Sequence, residues 1–528
     1  MRIRPGRRER TPRFPDPHSA PNGTELLAEG VVKRRVTSGV FFIGSWGVVN
    51  LVVGFFGSIV LARMLLPRDF GIVAIGATLM MFTTSLADGG LGSGLIRRED
   101  PPTRRELRAS LGLQLTVTTA LAAVAAAAAT FFGRSGLVVA LMMVALPIAA
   151  LPTPGRIVLS RALRFRALAT VEAAGMLAYY VWAVCGVVAG FDVWALASAV
   201  IVRAGMSAIG IAAVSGLGLL LPSYRGVRAL RPVIAFGLRF QAVSLAGMGR
   251  EQGLNAGVAA ISGVSTLGLW TLTKRLLEFP ALMFEPLHRV SFPYLSHVLA
   301  ARKDPSRLLN RGVAMAGALS GLVLVSTAVA APDLVPAVFG EQWRPVATIL
   351  QLVCAALLVA GPVSVAAVGF LYAVGAPSVV LRATVLHTIT LFAVAFSLLP
   401  LLGSAAIGLG SLSGAIVDVL VMSHAIRRRT SARPLAQLAP ILAVAGVAFV
   451  AGFGVTEAAG PGVVAGLTGA LAAAAAYLGL LFLVRRDVVV DAVRQATAAA
   501  RNAFAREASP TPEEAPDYGA EAGATSRS

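Results

Sequence analysis

This sequence is short of charge. Only 14% of its 528 residues are Asp, Glu, Lys or Arg, where a water-soluble domain carries roughly 25%. Such a chain cannot dress a water-facing surface of its own size. Lysine is nearly absent: of 46 cationic residues, only Lys33, Lys274 and Lys303 are lysines. The two cysteines, Cys185 and Cys354, both fall inside apolar runs, which excludes a disulfide framework and leaves them as small core residues. His18, His288, His297, His387 and His424 are scattered, so no clustered Cys/His metal site is present. The G-x-x-x-x-G-K-[ST] and H-E-x-x-H patterns are missing, and so is an Asp-x-Asp pair. P-loop ATP hydrolysis, zinc hydrolysis and metal-dependent sugar transfer therefore lack their residues. No cofactor is expected.

What is present is apolar. The hydrophobic share is 56%, about 296 residues, enough for about 14 helices of ~20 residues each. The runs are long and unalternating, which excludes an outer-membrane barrel. Fourteen are read, roughly at 38–62, 70–95, 109–132, 136–155, 168–190, 193–220, 233–262, 266–299, 312–331, 345–373, 378–400, 404–426, 437–456 and 462–484. The fold class is an all-α polytopic membrane protein of about 14 transmembrane helices. A net charge of +20 suggests a nucleic-acid binder, but the basic residues sit in short clusters between apolar runs, so nucleic acid is not expected as a partner. One alternate set of connections holds twenty-five Lys and Arg residues, and the other holds four, Arg63, Arg68, Arg134 and Arg344. By the positive-inside rule both termini are cytoplasmic and the helix count is even.

The connections are short, and the longest outer one runs only from Pro332 to Pro345. No soluble catalytic domain is inserted, so a transporter is expected and not an enzyme. The N-terminal tail, 1–35, is basic and Pro-rich. Its Arg7-Arg8 pair is not followed by an apolar stretch, so a cleaved signal is rejected. Phe70-Gly71 with Phe82 is echoed by Leu267-Gly268 with Phe279, six helices later, a parallel repeat. This divides the chain into six-helix bundles at 36–222 and 233–426 around a central cavity, two further helices at 437–484, and a cytoplasmic tail at 485–528. The tail opens on an amphipathic segment and ends in a disordered one.

Ionisable groups inside spans are costly and face cavities or partners. Arg203 falls near the middle of the sixth run, Arg239 in the inner third of the seventh, and Arg250 and Glu251 in its outer third. Asp418 lies in the inner half of the twelfth. In the eighth run Lys274, Arg275, Glu278, Glu285, His288 and Arg289 share an arc of about 140° on a helical wheel, and Pro280 and Pro286 interrupt it. Broken polar helices line transporter cavities. Two readings stay open. Lys274–Glu278 and Glu285–Arg289 are i,i+4 pairs able to neutralise one another. Alternatively the cations Arg203, Arg239, Arg250, Lys274, Arg275 and Arg289 contact an anionic diphosphate or its sugar. Glu251, Glu278, Glu285 and Asp418 are candidates for charge pairing, with Asp418 and Glu251 also candidates for proton or sodium coupling.

Three motifs carry a family resemblance. The first is Leu61-Ala-Arg63-Met-Leu-Leu-Pro67-Arg-Asp69-Phe-Gly71, after Gly44-Ser-Trp46 and before Leu86-Ala-Asp88-Gly-Gly-Leu-Gly92-Ser-Gly-Leu-Ile96-Arg97. The second is Leu267-Gly268 with Lys274-Arg275-Leu276, Pro280 and Val290-Ser-Phe-Pro293. The third is Phe339-Gly340-Glu-Gln-Trp343-Arg-Pro345. Over about 36–430 the chain resembles the polysaccharide transporter (O-antigen flippase-like) family of the multidrug/oligosaccharidyl-lipid/polysaccharide exporter superfamily. The resemblance implies a cytoplasmic-membrane flippase for a polyprenyl-diphosphate-linked oligosaccharide, with the lipid-linked saccharide, membrane lipids and the pathway's glycosyltransferases or polymerase as partners. Alternatives are a peptidoglycan lipid-precursor flippase, a multidrug-type cation antiporter and a membrane polysaccharide polymerase. Many relatives carry an Asp in the stretch where this chain has Leu254-Asn255-Ala256-Gly257, which puts the coupling ion in doubt.

Overall fold

The structure, a computed structural model, describes residues 51–491 except 99, together with 494 and 497. The side chains of 228–229, 232, 235–247, 285–286 and 288–290 are not described. The N-terminal tail, most of the C-terminal tail, the cluster Lys33-Arg34-Arg35 and most of the first apolar run lie outside the described residues. So do the side chains of Arg239, Glu285, His288 and Arg289, and with them the expected Glu285–Arg289 pair.

The described chain is helical. The helices are α1 (Leu51–Met64), α2 (Pro67–Asp88), α3 (Leu91–Arg97), α4 (Arg104–Thr130), α5 (Gly133–Met143), α6 (Ala145–Ala150), α7 (Thr153–Arg161), α8 (Phe165–Val188), α9 (Val193–Ser215), α10 (Arg231–Ala281), α11 (Phe284–Ala300), α12 (Ser306–Phe339), α13 (Pro345–Ala373), α14 (Pro377–Leu402), α15 (Ala405–Arg427), α16 (Pro434–Ala459) and α17 (Val463–Val484). Twelve stretches among the described residues are long and apolar enough to cross a membrane. The polytopic all-α class is therefore the one observed. The chain divides into two compact units, residues 1–61 with 75–249 and residues 62–74 with 250–528.

Within the first unit, local chemistry sets the helix ends. Thr103-Arg-Arg-Glu106 closes a capping box at the start of α4: the Glu106 N–H donates to Thr103 Oγ1 at 3.2 Å, and the Thr103 N–H donates to Glu106 Oε2 at 2.8 Å. Arg98 Nη1 holds the same carboxylate at 2.6 Å. Between α2 and α3 the helix is broken at Gly89-Gly90, whose φ angles of 51° and 74° only glycine adopts without strain. Asp88 bridges the break by accepting the Gly92 N–H at 3.4 Å. Leu95, Leu107, Ala109, Ile157 and Leu230 form a buried cluster that ties α3, α4 and α7 together.

The Arg-rich connections of this unit gather at one end. Arg161 Nη1 donates to the carbonyls of Leu95 and Ile96 at 2.9 and 3.0 Å. Arg108 Nε donates to Leu221 O at 2.9 Å. The second unit does the same with its own basic segments. The Ser431 N–H donates to Ser306 Oγ at 3.1 Å, and the Arg433 N–H to Asn310 Oδ1 at 2.9 Å. Arg485 Nη2 donates to Gln437 Oε1 at 3.0 Å, and Arg311 pairs with Asp491 at 2.9 Å. The alternation of basic and non-basic connections in the sequence thus has a geometric counterpart inside each unit.

Asp304 starts α12 at that end: its Oδ1 accepts the Ser306 N–H at 3.0 Å and the Ser306 hydroxyl at 2.6 Å. These two donors hold the Asp304 carboxyl below its ordinary value of 3.8. A carboxylate with a depressed folded pKa contributes stability above its unfolded pKa and loses it as pH falls through the folded value. Asp304→Ala will therefore melt below the parent protein at neutral pH. The difference will shrink as the pH is taken below the ordinary carboxylate range, as melting curves of the two purified proteins would show.

α10 is not one straight rod. Gly263 has φ 82° and ψ 173°, outside helical geometry. Lys274 Nζ nevertheless lies 3.1 Å from Glu251 Oε1. Twenty-three residues of continuous helix would put those positions about 35 Å apart, so the chain doubles back at Gly263. The arms 231–262 and 264–281 correspond to the seventh and the start of the eighth apolar run. The eighth run is broken again at 282–283, just after Pro280, before α11 begins.

The core of the second unit lies among α12, α13, α14 and α15, with Leu309, Val363, Phe370, Leu371, Met422 and Ile426 all buried. α17 is fastened to α12 by the buried Tyr477 hydroxyl, 3.2 Å from both Gly317 O and Ala318 O. Residues 62–74 also belong to this unit. Ala62 O accepts Trp343 Nε1 at 2.9 Å and Gln342 Nε2 at 3.1 Å. Arg63 donates to Val338 O at 2.8 Å and also to Ala337 O. Phe70 meets the fully buried Trp343 ring edge-on at 5.0 Å. A Cβ on Gly71 would sit 1.9 Å from Val264 O, and one on Gly268 would sit 1.7 Å from Pro67 O. Only glycine at both positions lets these backbones touch.

Candidate functional site

The second unit assembles most of the charged residues expected inside spans. On the α10 hairpin, Glu251 and Asn255 stand one turn apart on the 231–262 arm and face Lys274 on the other. Lys274 Nζ donates to Glu251 Oε1 at 3.1 Å and to Asn255 Oδ1 at 3.4 Å. It also lies 5.9 Å from the centre of the Trp270 ring, within cation–π range. Asn255 Nδ2 in turn donates to Gln252 Oε1 at 3.0 Å. The i,i+4 spacing pointed to Glu278 as the partner of Lys274. Instead, Glu278 takes a two-pronged bond from Arg275 Nη1 at 3.1 and 3.0 Å.

This arrangement gives the asparagine a physical reason. Lys274 already has one full carboxylate partner in Glu251. An aspartate at 255 would add a second negative charge beside one ammonium, whereas the amide supplies an acceptor with no charge. The Glu251 and Lys274 side chains keep 57% and 29% of their exposure, so the pair stays accessible to a competing anion. Arg250 lies within electrostatic range of both His387 on α14 and Asp418 on α15. Asp418 itself is buried.

The first unit holds a second group. Arg203, the eleventh residue of α9, is exposed and packs over Gly175 of α8, where a Cβ would lie 3.6 Å from Arg203 Cγ. Arg203 and Glu172 are both within electrostatic range of Arg156 on α7. Arg156 Nη2 donates to Ser207 Oγ at 2.9 Å. Its Nε is buried with no hydrogen-bond partner among the described residues.

Arg156 also lines a cavity of about 240 Å³ with Thr84, Asp88, Gln114, Thr118 and Ser160. In the sequence Arg156 falls between two apolar runs, among other arginines, and Asp88 stands only as part of a motif. The available signals were Pro154, which opens a helix and places Arg156 inside it, and Gln114, a lone amide in an apolar run. Among the described residues no cluster of three or more His, Cys, Asp or Glu side chains is placed to hold a metal.

Comparison with known proteins bears on both units. Residues 60–348, more than half of the chain, match the family described as polysaccharide biosynthesis protein. The chain belongs to that family. The match takes in Leu61–Gly71, the second motif and the whole of the third, whose Trp343 meets Ala62 and Phe70 of the first. Among curated relatives of this family member, the Escherichia coli K12 lipopolysaccharide biosynthesis protein WzxC is 24% identical over 346 residues, 61% of this chain and 67% of that protein. An uncharacterized membrane protein in the cps region of Klebsiella pneumoniae is 23% identical over 338 residues, 59% of this chain and 67% of that protein.

Two solved structures share the fold. One is the lipid II flippase MurJ in an inward closed conformation, with a TM-score of 0.63 and 11% identity, covering 85% of this chain and 100% of that one. The other is an inward-facing multidrug resistance MATE family transporter of the MOP superfamily, with a TM-score of 0.53 and 14% identity, covering 72% of this chain and 95% of that one. The polysaccharide family read from the motifs is the one that residues 60–348 match.

Proposed function

We propose that the protein carries a polyprenyl-diphosphate-linked oligosaccharide from the cytoplasmic to the outer leaflet of the cytoplasmic membrane, for surface polysaccharide biosynthesis. The observation that carries this reading is the α10 hairpin of a polysaccharide biosynthesis family member. It holds an ammonium and a guanidinium inside a membrane-spanning segment on partners accessible enough to be exchanged for phosphate oxygens. The saccharide head is hydrated, bulky and anionic, while its tail is apolar. A polar path for the head with the tail left in lipid, and alternation between inward-open and outward-open states, moves the substrate without changing a covalent bond. Both termini then lie in the cytoplasm, together with the basic ends of the two units.

The likeness to MurJ over that protein's full length favours one second reading, flipping of a peptidoglycan lipid precursor. Depletion of the protein followed by mass analysis of polyprenyl-linked saccharides separates the two. Accumulation of a complete lipid-linked repeat with loss of surface polymer supports the proposal, and the mass names the sugar class. Accumulation of the peptidoglycan precursor supports the second reading. No accumulation of either, with reduced dye efflux, transfers the assignment to cation antiport. Loss of long chains while single repeats still reach the surface transfers it to a polymerase.

Arg203 is proposed as a diphosphate or sugar contact. Arg203→Ala will lower transport about tenfold, as expected for losing one charge-assisted hydrogen bond, with unchanged amounts of protein in the membrane. Normal transport in that variant removes Arg203 from the site.

A further inference from the structure

The cavity of the first unit is built to take something that the Lys274 hairpin is not. Its wall carries Asp88 at the break between α2 and α3, Gln114 and Thr118 one turn apart on α4, Arg156 on α7, and the hydroxyls of Thr84 and Ser160. These residues come from three separate helices. Arg156 brings a buried Nε–H with nothing to bond among the described residues. That atom is closed off from the space, so a ligand meets Arg156 at its Nη groups, of which Nη2 already donates to Ser207 Oγ at 2.9 Å. At about 240 Å³ the space equals about eight waters. It falls below the ~300–1,000 Å³ of sites for drug-sized ligands, which suits one small ring.

The charges on the wall select the ligand. An anion at Arg156 would share the cavity with the Asp88 carboxylate, and a cation at Asp88 would share it with the guanidinium. A wholly apolar group would leave both without a partner there, together with the Gln114 amide. A neutral polyol satisfies them all: its hydroxyls donate to Asp88 and to the Gln114 carbonyl, and its oxygens accept from Arg156 and the Gln114 amide.

We propose that this cavity is a sugar-ring site, which takes one neutral pyranose by hydrogen bonds to Asp88, Gln114 and Arg156. The inference rests on the transport reading for the source of the sugar, which is a ring of the lipid-linked saccharide. The site lies beside the end of the unit where Arg97, Arg98 and Arg108 gather, the end assigned above to the cytoplasm. The ring would therefore be recognised before the head crosses. Selection by sugar would reside in this unit, and diphosphate contact in the cationic groups.

The test uses the full-length protein in detergent and saturation-transfer NMR with a panel of methyl hexosides and methyl 6-deoxyhexosides, with inorganic diphosphate as a competitor. At least one glycoside is expected to give a signal that diphosphate does not displace. Arg156→Met and Gln114→Leu are expected to weaken it about tenfold. Thr468→Ala, at an exposed position of α17, is expected to leave it unchanged. Should Arg156→Met fail to fold, Ala149→Leu narrows the same cavity while keeping every polar group, and is expected to abolish the signal.

Absence of binding by every glycoside overturns the site, as does a signal indifferent to Gln114→Leu and Ala149→Leu, or one displaced by diphosphate. The two readings fail separately. No glycoside binding, with a lipid-linked repeat still accumulating on depletion, removes only the sugar site. Glycoside binding without accumulation upholds the cavity and removes the transport reading.

Discussion

Trp343→Ala will destabilise the protein more than any other single truncation in the junction around residues 62–74. The indole is fully buried, donates to Ala62 O at 2.9 Å and meets Phe70 edge-on at 5.0 Å. Removing such a side chain costs about 3–5 kcal/mol in well-packed interiors. The lost hydrogen bond adds to this, although Gln342 still reaches the same carbonyl at 3.1 Å. Against a typical total of ~5–15 kcal/mol, that is a large fraction of the stability. Trp343→Phe keeps most of the packing and loses the N–H bond, a deficit of about 1 kcal/mol. Thermal melts of the detergent-solubilised variants should therefore rank parent, Trp343→Phe and Trp343→Ala in that order with a wide final gap. Indistinguishable melts for Trp343→Ala and the parent would mean that the junction does not hold these segments together.

That junction also shows what a linear sequence hides. Leu61 to Gly71, Leu267-Gly268 and Phe339 to Pro345 are three separate signatures, and nothing in their spacing says that they meet. They do so because two glycines remove the side chains that would keep Pro67 and Val264 off the opposing backbone, and because one tryptophan fills the remaining space. The long apolar helices, by contrast, were legible from hydropathy alone, since a span of lipid thickness demands an uninterrupted apolar run. α2, α12, α13 and α14 all lie close to their expected places.

The charged residues were legible as positions but not as partners. A helical wheel pairs Lys274 with Glu278 because it assumes that the helix continues. The turn at Gly263 brings Glu251 from the other arm instead, and leaves Glu278 to Arg275. In the first unit Arg156 was hidden for the opposite reason. It sits among loop arginines in sequence, yet a short helix starting at Thr153 carries it into a cavity wall. Asp88 carries two duties that a motif cannot separate, bridging the α2–α3 break and facing that cavity.

The Lys274–Glu251 contact allows a decision between a structural strut and a substrate contact. Lys274→Glu will place three carboxylates, at 251, 274 and 278, around one remaining cation, Arg275. Breaking a charge pair of this kind typically costs ~2–5 kcal/mol where the groups are largely desolvated, and less here because both side chains retain exposure. The melt will fall, and transport will drop by about tenfold or more. Adding Glu251→Lys restores an opposite-charge pair across the same turn, so the melt will recover. Transport will not, because the cation has moved from the 264–281 arm to the 231–262 arm and no longer stands beside Arg275 and Trp270. A diphosphate needs its cations on the side where it lies, whereas a strut needs only opposite charges at the right distance. Full recovery of transport in the double variant would make Lys274 a strut and shift the anion-binding role to Arg203.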